Sequence, residues 1–390
     1  MFNIPLFLIY SNLALAARPF LNEPDTGLDD LLGHTDPHVL PNLDYMASLP
    51  DFEWVARRYL DNASYAWYRS AAGGEWSYRN NMEVFDRIKM KPRVMVHINN
   101  VKKTLPTKIL GYNFSAPFFI SPAAKAGYAH PDAEKGLVEG SAAGDILYVV
   151  SPDPTPYLTQ YSVKVSPTPS QPSMRANLSI EQIAALKPNP NQVLFQQLYV
   201  SNNISQTFTT IRRAEKAGYK AFFLTVDAPA SASRPRAHRL GWETYALLQN
   251  ATHLPIVPKG ILTLSSARAF VAAGAPAIYL SNHGGRQLDA SPSAVEAAIE
   301  IHRHAPEIFK QVEVYADGGV RSGTDVLKLL ALGVRAVGLG RPFMYANVYG
   351  TEGVSAAVEI MKMEIGLGAA NVGVGDLKGL DESFIDFEGF

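Results

Sequence analysis

The chain contains no cysteine among its 390 residues. That removes disulfides, a thiolate nucleophile and any zinc–sulfur centre. It says nothing of compartment, since a protein with a large core can do without disulfides anywhere. An excess of charge of one sign is lacking too: 35 Lys and Arg stand against 36 Asp and Glu, a formal net charge of -1. The cations are scattered, so neither nucleic acid nor a membrane surface is expected as a partner. Apolar runs of the roughly 20 residues that a bilayer requires are also missing. The longest such stretch, Ile4 to Ala17, ends in the small residues Ala14, Ala16 and Ala17. It reads as the apolar part of a secretory signal peptide, with cleavage near Ala16–Ala17, although no Lys or Arg precedes it. Five N-x-S/T sequons, at Asn62, Asn113, Asn177, Asn203 and Asn250, fit a secreted glycoprotein. A cytoplasmic or peroxisomal location is the alternative.

What is present is a rhythm. The hydrophobic share of 47% is ample for a sizeable core. Residues 1–17 are read as the leader and 18–115 as an arm and helices, the helices at 51–69. Residues 116–367 form the main domain and 368–390 a tail. In the main domain short apolar runs alternate with helical patterns. The runs are "APFFISP", "ILYVVSP", "QVLFQQLYV", "KAFFLTVDAP", "LPIVPKG", "PAIYLSNHGG", "VEVYADGG" and "RAVGLGRP". Helical spacing falls at 132–144, 179–186, 206–217, 243–250, 265–273, 294–304, 324–332 and 351–366. Eight strand–helix pairs over about 250 residues predict an α/β fold, a (β/α)8 TIM barrel with an N-terminal helical extension. The open doubly wound sheet is disfavoured, because no G-x-G-x-x-G follows the first strand. Residues 155–177, rich in Pro and Ser, are expected to form a long loop over the catalytic face.

In such barrels the reactive groups sit where strands end. The first strand ends in Pro122, Ala123 and Ala124, the second at Ser151, the third in Gln197 and Tyr199. The fourth ends in Thr225 and Asp227, with Arg234 seven residues on, and Lys259 closes the fifth. The sixth ends in Ser281, His283 and Arg286, the seventh in Asp317, Gly318, Gly319 and Arg321, and the eighth in Gly340 and Arg341. The last two turns have the chemistry of a phosphate site. Glycines let N–H groups approach an anion, a helix N-terminus adds partial positive charge, and an Arg completes the grip.

The stretches "SNHGGRQLD", "DGGVRSGTDVLKLLALG", "VGLGRP", "FQQLYV" and "LTVDAP" resemble the FMN-dependent α-hydroxy acid oxidase and dehydrogenase family, which includes glycolate and lactate oxidases. The resemblance runs from about Tyr59 to Phe384. It implies FMN as cofactor and oxidation of a 2-hydroxy acid to the 2-oxo acid, with electrons passed to oxygen or another acceptor. It also implies a small-molecule substrate and an assembly that is often a tetramer. His283 would be the proton acceptor, Asp227 its support and Tyr199 a partner of the substrate hydroxyl. Arg286 and Arg234 would clamp the carboxylate. Lys259, Gln197, Thr225, Ser281 and the main chain at 122–124 and Ser151 would line the ring. Asp317 would take the ribityl chain, and Gly318, Gly319, Arg321, Gly340 and Arg341 the phosphate. FMN barrels that oxidise nucleotides are excluded, since they need a catalytic cysteine.

Three positions depart from the family. Trp67 stands where a substrate tyrosine is usual, with Tyr65 and Tyr68 beside it. Pro152 lies near the place of a common tryptophan. Asp227 and Lys259 are only 32 positions apart, so the usual lid between the fourth and fifth strands is much shortened. Arg236 or Arg239 could then replace Arg234. These departures predict a bulkier substrate than glycolate or lactate. The alternatives are a larger alcohol without a carboxylate, or a flavin binder without turnover.

Overall fold

A computed structural model describes residues 32, 36, 39–98, 100–152, 176–228 and 240–390. The leader, most of the arm, residues 155–175 of the loop expected at 155–177, and Arg234, Arg236 and Arg239 lie outside the described residues. Among the described residues, no helix is long and apolar enough to cross a membrane.

Eight parallel strands close into a barrel in sequence order: β1 (Phe118–Ile120), β2 (Leu147–Val150), β3 (Leu194–Leu198), β4 (Phe222–Thr225), β5 (Ile256–Ile261), β6 (Ala277–Leu280), β7 (Glu313–Asp317) and β8 (Ala336–Leu339). Seven of the eight apolar runs contain one of them, and the fifth strand passes the end of its run, Gly260, by one residue. All are buried on both faces, because helices cover the outside and side chains fill the inside. The period of two is plain in β1. Phe119 points inward to Phe223, Tyr279 and Tyr315, with ring centroids at 6.1, 5.7 and 6.0 Å. Phe118 stacks outward on Phe343 at 6.4 Å. A hairpin of Thr107–Ile109 and Tyr112–Phe114 closes the bottom, with Ile109 and Phe114 joining the inner cluster. The strands are short and the filling is aromatic, so the barrel is a packed core and not a pore.

Helices follow the strands close to the expected places. The last, Gly350–Asn371, runs further than its sequence pattern suggested. Among the described residues, three α-helices of eight or more residues precede the barrel: α1 (Leu49–Tyr59), α2 (Asn62–Arg69) and α3 (Trp76–Arg87). A capping box of Ser48 and Asp51 starts α1, and Asp61 caps α2 by accepting from the N–H groups of Ala63 and Ser64. Helices α2 and α3 lie on the turn that follows β6. Asp289 of that turn accepts from the Gly74 and Ser77 N–H groups at 2.7 and 3.0 Å. Asn81 and Asn282 exchange two amide hydrogen bonds, at 2.8 and 2.7 Å. The chain ahead of the barrel thereby becomes part of its mouth.

Candidate active site

At the strand C-termini an open cleft encloses about 1030 Å3, counting space open to solvent. Its walls carry nearly every residue singled out by sequence: Pro122, Ala123, Ala124, Ser151, Gln197, Tyr199, Lys259, His283, Arg286, Asp317, Gly318, Gly319, Arg321, Gly340, Arg341 and Trp67. Three others sit one layer behind. Thr225 accepts from Gln197 Nε2 at 2.7 Å, Ser281 accepts from Lys259 Nζ at 2.7 Å, and Asp227 backs His283.

His283 Nδ1 lies 2.9 Å from Asp227 Oδ1, and Nε2 lies 3.4 Å from the Tyr199 hydroxyl. The carboxylate fixes the ring and requires a proton on Nδ1, which leaves Nε2 for chemistry. Burial pushes the Asp227 pKa up, but the attraction of His283, its hydrogen bond and Lys259 outweigh this, and the carboxyl ends below its ordinary value. It therefore remains a carboxylate at neutral pH. His283 holds a left-handed backbone (φ 61°), as does Gly284 (φ 64°). A bulky residue in that region costs of order 1–3 kcal/mol, and such cost collects at functional turns. Asn282 offsets it by accepting from the Gly285 N–H at 3.0 Å.

The two glycines of this turn answer a packing need. A Cβ on Gly284 would lie 2.8 Å from Arg341 Nη1, and one on Gly285 would lie 2.7 Å from the Tyr78 nitrogen. They make room for a cation and for α3.

Arg286 donates to the carbonyls of Trp67 and Tyr68 at the end of α2. Burial, then the neighbouring Arg341, push its pKa down to about 9. A guanidinium does not give up its proton at neutral pH, so the shift reports a buried cation short of negative charge. An anion placed in the cleft beside it would supply that charge. Trp67 meets Tyr128 edge to face at 6.2 Å and lies under the Arg286 guanidinium at 5.9 Å. Tyr65 stacks on Tyr345 instead, and the Tyr68 hydroxyl donates to the Lys125 carbonyl. Neither neighbour thus replaces a phenol at position 67.

The β7 and β8 ends are set by backbone. Gly318 and Gly319 have φ of 104° and 82°, and a Cβ on Gly319 would collide with Asn81 O. Arg341 donates to Tyr68 O, Gly284 O and Ser70 O at 2.7, 2.9 and 2.9 Å, which fixes its fork. Arg321 lies 3.7 Å from the buried Glu53 of α1. Lys259 Nζ lies 3.3 Å from Asp317 Oδ2, while Asp317 Oδ1 is buried with no hydrogen-bond partner among the described residues. Such an acceptor costs about 1–3 kcal/mol unless something donates to it. A hydroxyl reaching in from the cleft could donate to it. The donor set thus fits a flavin with a phosphorylated polyol tail: ammonium and amides along one edge, a free carboxylate oxygen midway, and glycines with two arginines at the end.

Sequence reasoning missed Tyr78, Asn81, Met82, Ser121 and Met344, which also line the cleft. The first three lie on α3, and nothing local in "EWSYRNNMEVF" says that this helix covers the mouth.

The pattern of the family described as FMN-dependent dehydrogenase matches residues 56–158, 162–241 and 237–387. The L-lactate dehydrogenase (cytochrome) of Wickerhamomyces anomalus is 32% identical over 382 residues, covering 89% of this chain and 62% of that protein. The chain thus spans under two thirds of that relative's length. The glycolate oxidase of Spinacia oleracea is 31% identical, covering 88% of this chain and 97% of its own. Among solved structures, a flavocytochrome b2 variant with pyruvate bound superposes with a TM-score of 0.80 at 32% identity, over 94% of this chain and 92% of its own.

Proposed function

The chain belongs to the FMN-dependent dehydrogenase family, and from that premise we propose that it oxidises a 2-hydroxy acid to the corresponding 2-oxo acid. One observation carries the reading: His283 is locked by Asp227 on one nitrogen and open to the cleft, beside Tyr199, on the other. Bound FMN supplies the two-electron acceptor.

The protein's own groups do the rest. Arg286 takes the substrate carboxylate, which relieves an under-compensated cation and orients the hydroxyl-bearing carbon. Arg234, which keeps its spacing from Asp227, is a second candidate for this clamp. Tyr199 holds the hydroxyl. His283 Nε2 accepts the proton released on oxidation, and Asp227 stabilises the imidazolium that results. A base placed this way contributes roughly 10²–10⁴ in rate. Lys259, with Gln197, Thr225 and Ser281 around it, faces the cofactor edge where negative charge collects. Asp317 takes the ribityl chain, and Gly318, Gly319, Arg321, Gly340 and Arg341 hold the phosphate. Electrons then leave to oxygen or another acceptor.

A bulky substrate is the finer reading. It is supported by the Trp67–Tyr128 wall and by the 32 positions between Asp227 and Lys259. Anaerobic titration of the yellow protein with glycolate, lactate and aromatic 2-hydroxy acids, followed by bleaching of the flavin band, tests both. No bleaching with any acid removes the proposed activity and leaves a flavin binder or an alcohol oxidase. Fast bleaching by glycolate alone removes the bulky substrate. The homo-oligomer and the secretory leader are part of the proposal too, to be read by solution mass and by the N-terminus of the mature protein.

A further inference from the structure

One buried hydroxyl plays no part in the chemistry so far. Tyr279 lies on β6 with its side chain inside the barrel, fully buried. Its ring packs with Phe223, Phe119 and Tyr315 at 5.3, 5.7 and 6.2 Å. A phenylalanine would serve that packing equally well. The phenol oxygen has its own site, 2.8 Å from Ser121 Oγ and 2.8 Å from Asp317 Oδ2. Space for it depends on Gly338 of β8. A Cβ there would lie 2.2 Å from Ser121 Oγ and 2.3 Å from the Tyr279 oxygen.

Ser121 Oγ also lies 3.4 Å from Asp317 Oδ2, but its shorter contact, 2.8 Å, is with the phenol oxygen. Asp317 accepts, so the Tyr279 O–H donates to Oδ2. Ser121 Oγ–H then donates to the phenol oxygen. The same Oδ2 lies 3.3 Å from Lys259 Nζ. One carboxylate oxygen is thus shared between a phenol and an ammonium, and the ammonium lines the cleft. Burial, then the Asp317 charge, raises the Tyr279 pKa well above its ordinary value, so the phenol keeps its proton.

We propose that Tyr279 is a positioning residue, which by holding Asp317 sets how much of the Lys259 charge is left for the cofactor. This rests on the FMN reading of the cleft. With the phenol in place, part of the carboxylate charge is spent on an O–H donor. Without it, Asp317 bears fully on Lys259, and the cation does less for negative charge that builds up on reduction. Reduction becomes harder.

The measurement is the midpoint potential of FMN-loaded wild type and Tyr279→Phe, with cofactor affinity and melting temperature alongside. The oxidised-to-reduced ratio at fixed poise is expected to move about tenfold toward oxidised, about 30 mV for a two-electron couple. Ser121→Ala, which leaves the phenol one partner short, is expected to move it the same way by less. It decides the matter should Tyr279→Phe fail to fold. An unmoved or raised potential in a variant that binds FMN and melts like wild type overturns the inference alone. A colourless wild type that takes up no FMN overturns the cofactor reading and this inference with it.

Discussion

The two sides of the barrel mouth are built by different means. At β7 and β8 the grip is made by short turns: positive-φ glycines against α3, and a guanidinium tied to three carbonyls. At β4 and β5, Asp227 is followed almost at once by residues 229–239, outside the described chain. Beside it a cavity of about 690 Å3, open to solvent, lies between Leu224, Val226, Gly260, Trp242, Tyr245 and Phe270. Trp242 is 53% exposed and Leu247 is 55% exposed on the same helix. Among the described residues the β7–β8 side is close-packed, and the β4–β5 side leaves this cavity. On the proposed reading the first side holds the cofactor tail and the second meets the substrate.

This division breaks if the two sides cannot be damaged separately. The largest effect is expected for His283→Asn: reduction by substrate slows at least about a thousandfold, while the flavin spectrum and FMN affinity stay put. Loss of flavin from that variant ends the division. Next is Arg286→Lys, with kcat/KM down about a hundredfold, because an ammonium cannot present the fork that reads a carboxylate. Stopped-flow reduction separates that loss from any change in FMN content. On the other side, Arg321→Ala should weaken FMN about tenfold by equilibrium dialysis and leave reduction of the loaded enzyme within about threefold.

The smallest effect is on acid stability. The Asp227 carboxyl is held below its ordinary 3.8 in the fold. Its contribution is therefore complete above that value and is lost as pH falls through the lower, folded one. Thermal melts of wild type and Asp227→Asn between pH 5 and 3 should converge toward acid. Divergence there would mean that the carboxylate is not the ionised partner of His283.

The barrel was legible because each strand is an apolar run closed by Pro, Gly or a polar pair, and each helix shows its period within a dozen residues. The placing of Gly318 to Arg321 and Gly340 to Arg341 at the cleft was legible for the same reason: each turn is local. Tyr279 was not, since in "APAIYL" it reads as core, and its partner Ser121 lies 158 positions away. The packing roles of Gly284 and Gly285 were not legible, because the bodies they avoid, Arg341 and α3, are equally remote. Contact across the mouth belongs to the closed barrel rather than to any segment of it.

The reciprocal amide pair between Asn81 and Asn282 spans 201 positions. During synthesis the helix bearing Asn81 leaves the ribosome long before the turn it must meet. The turn that carries His283 therefore completes its contact with α3 only once the sixth strand has been made. A nascent chain that stops short of Asn282 already carries α3 but not the amide with which Asn81 exchanges its two hydrogen bonds.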